Sequence, residues 1–535
     1  MKRMNKYLIV LGMLAMVGCS EDFLNTEPIT DTTDDSFYQI PEHAYSALVG
    51  CYDGLQVVTG AAERTFPAVS EVMSDDCFGG LGNTDPFDYQ AIDEFDISRA
   101  PGYQDLYNDT WVKYYQALYR CNVLLQKIDQ IDWTDNETLR NRYVGEARFI
   151  RAYLYFDMVR LWGNIPLLTE PSTDNIPQAD PADVYTVITE DLLYAADNIP
   201  EEAYNAVPNG RVTRWAAKAM LGRVYLYYTG YYGASDLVGL VSQADALNHM
   251  EDVIASSGHA LVSNFANLWP AASTDEEGST YAGESNEEIV FSVKYTHTSD
   301  YNGNTDGNHW LVLFGMREFM YFPYGNGWGI TATEKLYDLY NDNDSRRSAT
   351  LIAIDEDEVP FDNLEGQREF TGYYNKKYTP MSEYNEEGEL VSSAVAAGNE
   401  SFQIGQFQDY FAIRYSDVLL MAAELGSGSA QSYFDQVRQR AYGNNFTPLS
   451  ITPDNLLKER HLEFALEGIR YWDLMRQGVS EAASELEVNT TVLSGNLEEN
   501  KTISSGNVQA TQGLSQIPNT QITLSGGVLQ QNAGW

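Results

Sequence analysis

Apolar residues recur at helical spacing over three long stretches, and each stretch is bounded by residues that start and stop helices. The first runs from about Glu146 to Trp162 (EARFIRAYLYFDMVRLW) and halts at Gly163-Asn164-Ile165-Pro166, where glycine supplies a C-cap and proline forbids continuation. The second follows Asn209-Gly210, takes Thr213 as its N-cap and continues through WAAKAMLGRVYLYY to about Tyr228. The third opens at Thr452-Pro453, a cap followed by an N1 proline. It carries Leu462, Leu466, Ile469 and Trp472 on one face and ends at Gly478. The pattern predicts three packed helices.

Fainter copies of the same spacing accompany them. Leu221-Gly222-x-x-Tyr225 has the form of a tetratricopeptide first helix, in which a small residue lets two helices approach, and Ala246-x3-Met250-x2-Val253 follows as its partner. Ala152-x-x-Tyr155 is answered by Ile188-x3-Leu192-x2-Ala195 ahead of Pro200, and the helix around Tyr415 to Glu424 by Ala430-x3-Phe434-x2-Val437. Taken together the matches predict a mainly α chain of stacked antiparallel helix pairs. Between the pairs lie polar insertions at 79–104, 273–309, 321–330, 355–400 and 480–515, too long for turns and therefore functional or disordered.

The N-terminus breaks this pattern. Lys2, Arg3 and Lys6 precede an apolar stretch from Tyr7 to Val17, too short for a stable membrane span, and Gly18-Cys19 closes it. This reads as a signal peptide over 1–18, with Cys19 as the lipidated first residue of the mature chain and a tether over 19–30 leading into a single body over 31–535. Removing the signal leaves 30 basic against 77 acidic side chains, a formal charge of −47. Such a charge repels phosphate backbones, so nucleic acid is excluded as a partner, and neutral or cationic ligands are favoured. Cys51, Cys77 and Cys121 are too widely spaced for a disulfide framework or a zinc site, although one disulfide is open to them.

Six ordered segments resemble the SusD/RagB family of outer-membrane nutrient-binding lipoproteins. They are CSEDFLNTEP from Cys19, WVKYYQALYRCNVLLQKI from Trp111, EARFIRAYLYFDMVRLWGNIPLL from Glu146, RVTRWAAKAMLGRVYLYY from Arg211, FAIRYSDVLLMAAE from Phe411 and ERHLEFALEGIRYWDLMRQG from Glu459. Gln516-Ile517-Pro518 and Gln531-Asn532 extend the match to the end of the chain. The resemblance implies a SusD-like fold, with four tetratricopeptide-like helix pairs in a superhelix plus an irregular, loop-rich lobe. It also implies a carbohydrate-binding lipoprotein on the cell exterior that captures oligosaccharide or polysaccharide beside a SusC-like TonB-dependent outer-membrane transporter. Glu21 and Asp22, just after Cys19, resemble the surface-export signal of such lipoproteins.

A sugar ring offers CH groups on its faces and hydroxyls on its rim, so a binder needs exposed flat aromatics with polar groups beside them. Of 37 Tyr and 9 Trp, those at helical spacing, such as Tyr153, Tyr155, Tyr225, Tyr227 and Trp472, belong to the core. The loop Tyr321-Phe-Pro-Tyr324-Gly-Asn326-Gly-Trp328 is different, because no period could bury all its rings. Trp328 is the expected stacking platform, with Tyr321, Tyr324 and Asn326 beside it. Trp310 is a second candidate, although the apolar run Leu311 to Phe314 suits a strand core equally. Asn83 and Asp85, in a loop that looks like the family's ligand edge, and Arg64 ahead of it could bond hydroxyls. The starch-binding type of the family carries aromatics after the acidic pair and Cys, whereas this chain has Gly79-Gly80-Leu81-Gly82, which points away from an α-glucan. Asp75 and Asp76 suit turn-capping as well as ligand contact.

No cofactor motif is present. HExxH, GxSxG and a P-loop are missing, the six His are scattered, and Arg347 and Ala353 spoil the calcium loop that Asp342-Asn-Asp344 suggests. A glycosidase needs only two carboxylates, which the sequence cannot single out, and a protein-docking scaffold would use the same concave stack. Both remain open beside the reading of a non-enzymatic glycan binder.

Overall fold

The computed structural model describes residues 37–61, 63–96 and 105–535. The expected signal segment 1–18, Cys19 and the tether to residue 30 lie outside them.

Four helix pairs stack along the chain. They are α1 (Pro41–Gln56) with α2 (Asn108–Lys127), α3 (Glu137–Trp162) with α4 (Pro181–Asn198), α5 (Arg214–Tyr232) with α6 (Gln243–Ser256), and α7 (Tyr415–Glu424) with α8 (Ala430–Tyr442). Each pair also touches the next, through α2 with α3, α4 with α5 and α6 with α7. Small residues set the close approaches. A Cβ on Gly222 would lie 2.8 Å from the Met250 side chain, and one on Gly54 would lie 2.8 Å from Ala117 Cβ. α3 runs through the centre, and from Arg142 to Trp162 only Arg148 escapes burial. Its charged residues are therefore paired: Arg151 clasps Asp191 at 2.8 and 2.9 Å, and Glu146 accepts from Arg211 at 2.5 Å.

The first predicted helix begins at Glu137, nine residues before Glu146, whereas the expected N-caps of the second and third hold. Thr213 accepts from the Ala216 N–H and Thr452 from that of Asn455, each capping an orphan donor of the first turn. The third predicted helix does not continue to Gly478. It splits into α9 (Pro453–Phe464) and α10 (Arg470–Met475). Leu466 and Gly468 between them adopt φ of +65° and +76°, and the Gly468 N–H turns away to the Glu71 carboxylate. The break lets Glu463 and Glu467 converge on Arg414, at 2.8 Å each. Arg414 also holds Glu288 at 2.6 Å, and Arg346 joins Asp344, Glu459 and Glu463 at 2.8, 2.6 and 3.2 Å.

The irregular lobe is built from short, mostly antiparallel strands. β1 (Cys77–Phe78), β3 (Thr331–Ala332), β5 (Tyr373–Asn375) and β4 (Leu351–Ala353) form one sheet in that spatial order, with Cys77 opposite Ala332, Ala332 opposite Tyr373 and Leu351 opposite Asn375. β2 (Ile289–Val293) pairs with β6 (Tyr410–Arg414), seating α7 against the lobe. The stretch 480–515, read as a long insertion, is an ordered hairpin of β7 (Val488–Ser494) and β8 (Leu497–Ile503) flanked by short helices. Cys51, Cys77 and Cys121 are buried free thiols. Among the described residues no helix is long and apolar enough to cross a membrane.

Candidate functional site

The loop from Gly79 to Asp88 is pinned from below. Gly82 bridges Gln367, the Asn83 N–H donates to Gly366 O at 3.0 Å, and the Asn83 side-chain amide donates to Glu365 O. Arg368 reaches up from the same segment, giving hydrogen bonds to Gly82 O at 2.9 Å and Asp85 O at 2.5 Å. Asp85 closes its own turn by accepting from the Gly82 N–H at 2.9 Å. The glycines are packing devices here: a Cβ on Gly79 would lie 2.2 Å from Tyr89 O, and one on Gly82 would lie 2.3 Å from the Arg317 guanidinium.

Arg317 joins this loop to the expected platform. Its Nη1 donates to Asp85 at 2.6 Å and lies 3.5 Å from Trp328 O, while Glu318 flanks it at 3.4 Å. Arg317 Nε is buried with no protein partner. Trp328 is held by its backbone N–H on Val312 O at 2.7 Å, and its half-buried ring meets the His309 ring edge-on at 5.4 Å. Burial, then the charge of Lys113, pulls the His309 pKa down. Lys113 itself donates to Ala61 O at 3.1 Å. Phe87 stands 44% exposed on the same loop as Asp85, with the Arg368 guanidinium 4.1 Å from its ring centroid. Two accessible aromatics, an arginine–carboxylate pair and an exposed amide thus share one loop cluster. That suits stacking against a ring while bonding its hydroxyls.

The expected site residues divide. Trp328, Asn83 and Asp85 are brought together, and Arg317 is the link. Arg64 lies at the margin, ion-paired with Asp88 and 5.2 Å over Tyr89. Trp310 is a correction. It is 3% exposed and packs against Phe314, Tyr378 and Tyr410 at 5.6, 5.0 and 6.0 Å, so it belongs to the core. The run after it forms a short helix rather than a strand. Tyr324 is also buried, at 6% exposed under Lys376, and bridges Tyr321 and Met381. Tyr321, 39% exposed, sits with Phe322, whose ring stacks on Tyr384 at 5.5 Å. Asn326 pairs with Met316. The contacts of 321–324 therefore lead to the Tyr384 hairpin rather than to Trp328, while Asn326 lies on the strand beside Met316 and Arg317.

Sequence reasoning passed over Arg317 and Phe87. Phe87 follows Asp85-Pro86 in a polar loop, and an unburied ring in such a loop is the signal that served for Trp328. Arg317 had no local signal, because its partner is 232 positions away. Asp75 and Asp76 resolve as structural: Asp75 accepts from Arg470 at 2.7 and 3.0 Å, and Asp76 Oδ1 lies 2.6 Å from His461 Nε2.

Residues 22–226 match a family described as "Starch-binding associating with outer membrane", and residues 287–535 match the "SusD family". A "SusD-like protein" of Bacteroides ovatus is 24% identical over 88% of this chain and 82% of its own length. Among solved structures, a "Laminarin binding SusD-like protein" is 27% identical with a TM-score of 0.71, covering 93% of this chain and all of that one. Surface glycan-binding protein A from Bacteroides thetaiotaomicron, in complex with laminarihexaose, is 23% identical with a TM-score of 0.71 over 92% of this chain and 99% of its own.

Proposed function

Because this chain belongs to the SusD/RagB family, whose members associate with the outer membrane, we propose that it is a non-enzymatic carbohydrate-binding lipoprotein that captures glycan on the Trp328 surface. The supporting observation is the half-buried Trp328, whose carbonyl lies 3.5 Å from Arg317 in its pair with Asp85, on a loop cluster that also carries the exposed Asn83. Cys19 anchors the chain by lipid to the outer membrane, facing the cell exterior, and a SusC-like TonB-dependent transporter receives the glycan. The signal-like segment before Cys19 and the acidic Glu21-Asp22 after it support that placement.

Laminarin is the first ligand to test, since the 27% identical neighbour is named for binding it and the one aromatic directly after Cys77, Phe78, is buried and followed by the Gly79-Gly80-Leu81-Gly82 run, leaving no exposed ring there. Binding rather than hydrolysis is supported by the commitment of the nearby carboxylates: Asp85 holds Arg317, and Asp88 holds Arg64. Calorimetry and affinity electrophoresis with laminarin, xyloglucan and starch, on wild type and Trp328→Ala, test the reading. Wild type should bind at least one glycan, and the alanine variant should lose tenfold or more, about 1.4 kcal/mol. Binding of none would leave the protein-docking scaffold, and release of shorter sugars would revive the hydrolase.

A further inference from the structure

Two recesses flank the Asn209-Gly210-Arg211 turn that leads into α5. One, of about 370 Å³, opens toward Tyr45 and Gln56 of α1. The other, of about 270 Å³, lies between the turn, the end of α6 and β2, with Tyr204, Asn205 and His259 among its walls. Ser292 of β2 lines both.

Two residues lining the smaller recess carry buried polar atoms with no protein partner, His259 at Nε2 and Ser292, which it shares with the larger recess, at Oγ; the residues are only 6% and 3% exposed. Leaving such groups unpaired is costly, so they point to a partner that binds there. The chemistry of that partner can be read from the pair. His259 Nδ1 lies 3.0 Å from Glu287 O, and since a carbonyl only accepts, Nδ1 carries the hydrogen and Nε2 presents a lone pair. Burial, against the pull of that carbonyl, takes the His259 pKa down to about 4, so the ring stays neutral near pH 7. The Tyr204 ring lies over the imidazole at 4.6 Å and 26° and walls the recess with a flat apolar face. The cations nearby are engaged: Arg211 by Glu146 at 2.5 Å, and Lys294 by Asp409. An anion therefore finds no open positive partner. A hydroxyl can donate to His259 Nε2 while Ser292 completes its bonding.

We propose that this recess is a second ligand site, separate in its lining from the Trp328 surface, that takes one neutral hydroxylated ring such as a terminal or branch sugar residue. The choice of ligand class rests on the glycan-capture reading above. A chain seated on Trp328 and a second contact here would gain from effective concentration whenever one glycan spans both.

The test uses the full chain carrying Trp328→Ala, which isolates the second site. Glucose and laminaribiose are titrated by saturation-transfer NMR and calorimetry, with Asn205→Trp filling the recess from its exposed rim and Ser292→Ala removing the hydroxyl with little change of shape. Saturable binding in the Trp328→Ala chain, weakened at least tenfold by each added substitution with the melting temperature unchanged, is the expected result. No saturable binding to either sugar overturns the site, as does binding that both substitutions leave intact; in either case the unpaired atoms serve water alone. Failure of the Trp328 reading looks different, because wild type and Trp328→Ala would then bind polysaccharide equally.

Discussion

Trp310 and Trp328 are a matched pair for separating core from ligand surface. Both stand in glycine- and asparagine-rich sequence, and spacing alone treats them alike. Only the second leaves part of its ring accessible, because its backbone is spent on Val312 while its side chain meets His309 edge-on. Trp310 faces Tyr378 and Tyr410, from segments 68 and 100 positions later, which no local pattern announces. The two residues should therefore respond in opposite ways to substitution. Trp310→Ala should cost about 3 to 5 kcal/mol of stability by opening a cavity, seen as a lower urea midpoint, and folded protein at low temperature should keep its glycan affinity. Trp328→Ala should lower the midpoint less than Trp310→Ala does, because its ring is only partly buried against the core, and should lose affinity. Equal loss of affinity in both folded variants would return Trp310 to the ligand surface.

At the scale of elements, what the sequence showed were the helices, because periodicity and caps are local. Thr213, Thr452 and the Gly222 approach to Met250 were all legible. The break after Phe464 was not. Leu466, Ile469 and Trp472 keep the helical spacing straight across it, and the reason to turn is Glu71, almost 400 positions upstream. The β7–β8 hairpin hid for a similar cause, since most of its side chains face water and present no apolar alternation. Its one buried cation ties it to the site. Lys501 Nζ sits 2.8 Å from Asp93, 3.1 Å from Glu94 and 2.8 Å from Glu369, joining the hairpin to both segments that carry the Asp85 loop. Lys501→Met keeps the stem but strands buried carboxylates, at a cost of about 3 to 5 kcal/mol. Hydrogen exchange should rise in 79–96 and 488–503 together, and glycan affinity should fall although Lys501 lies outside the ligand surface. Exchange confined to the hairpin would mean that Lys501 does not position the loop.

Across the whole molecule, the charge that makes the chain acidic is partly turned inward. Glu463, Asp417, Asp473 and Asp75 are buried against guanidinium groups. Burial alone would push each carboxyl up, but the facing cations outweigh it: Arg440, Arg414 and Arg346 for Glu463, Arg460 and Arg223 for Asp417, Arg460 and Arg476 for Asp473, and Arg470 for Asp75. All four are held below the usual carboxylate range. A group depressed in this way stabilises the fold above its unfolded pKa of about 4 and loses that contribution as pH falls below it. Carboxyls shifted the other way, such as Asp157, which burial pushes up to about 7 against the pull of Arg160, act only between about pH 4 and 7. Below pH 4 they are protonated in both states and cannot compensate. Unfolding free energy should therefore fall steeply from pH 4 to pH 3, by up to about 4 kcal/mol if Glu463, Asp473 and Asp75 contribute fully at about 1.4 kcal/mol per pH unit each, with Asp417 acting in the same direction. Glu463→Gln separates this from general acid sensitivity. It should lower stability at pH 7 by about 3 to 5 kcal/mol, because three arginines then face a neutral amide, and it should flatten the acid slope by about one group's worth. Urea denaturation at pH 7, 4 and 3 measures both quantities, and parallel pH profiles for wild type and Glu463→Gln would show that the buried cluster does not set the acid limit of the fold.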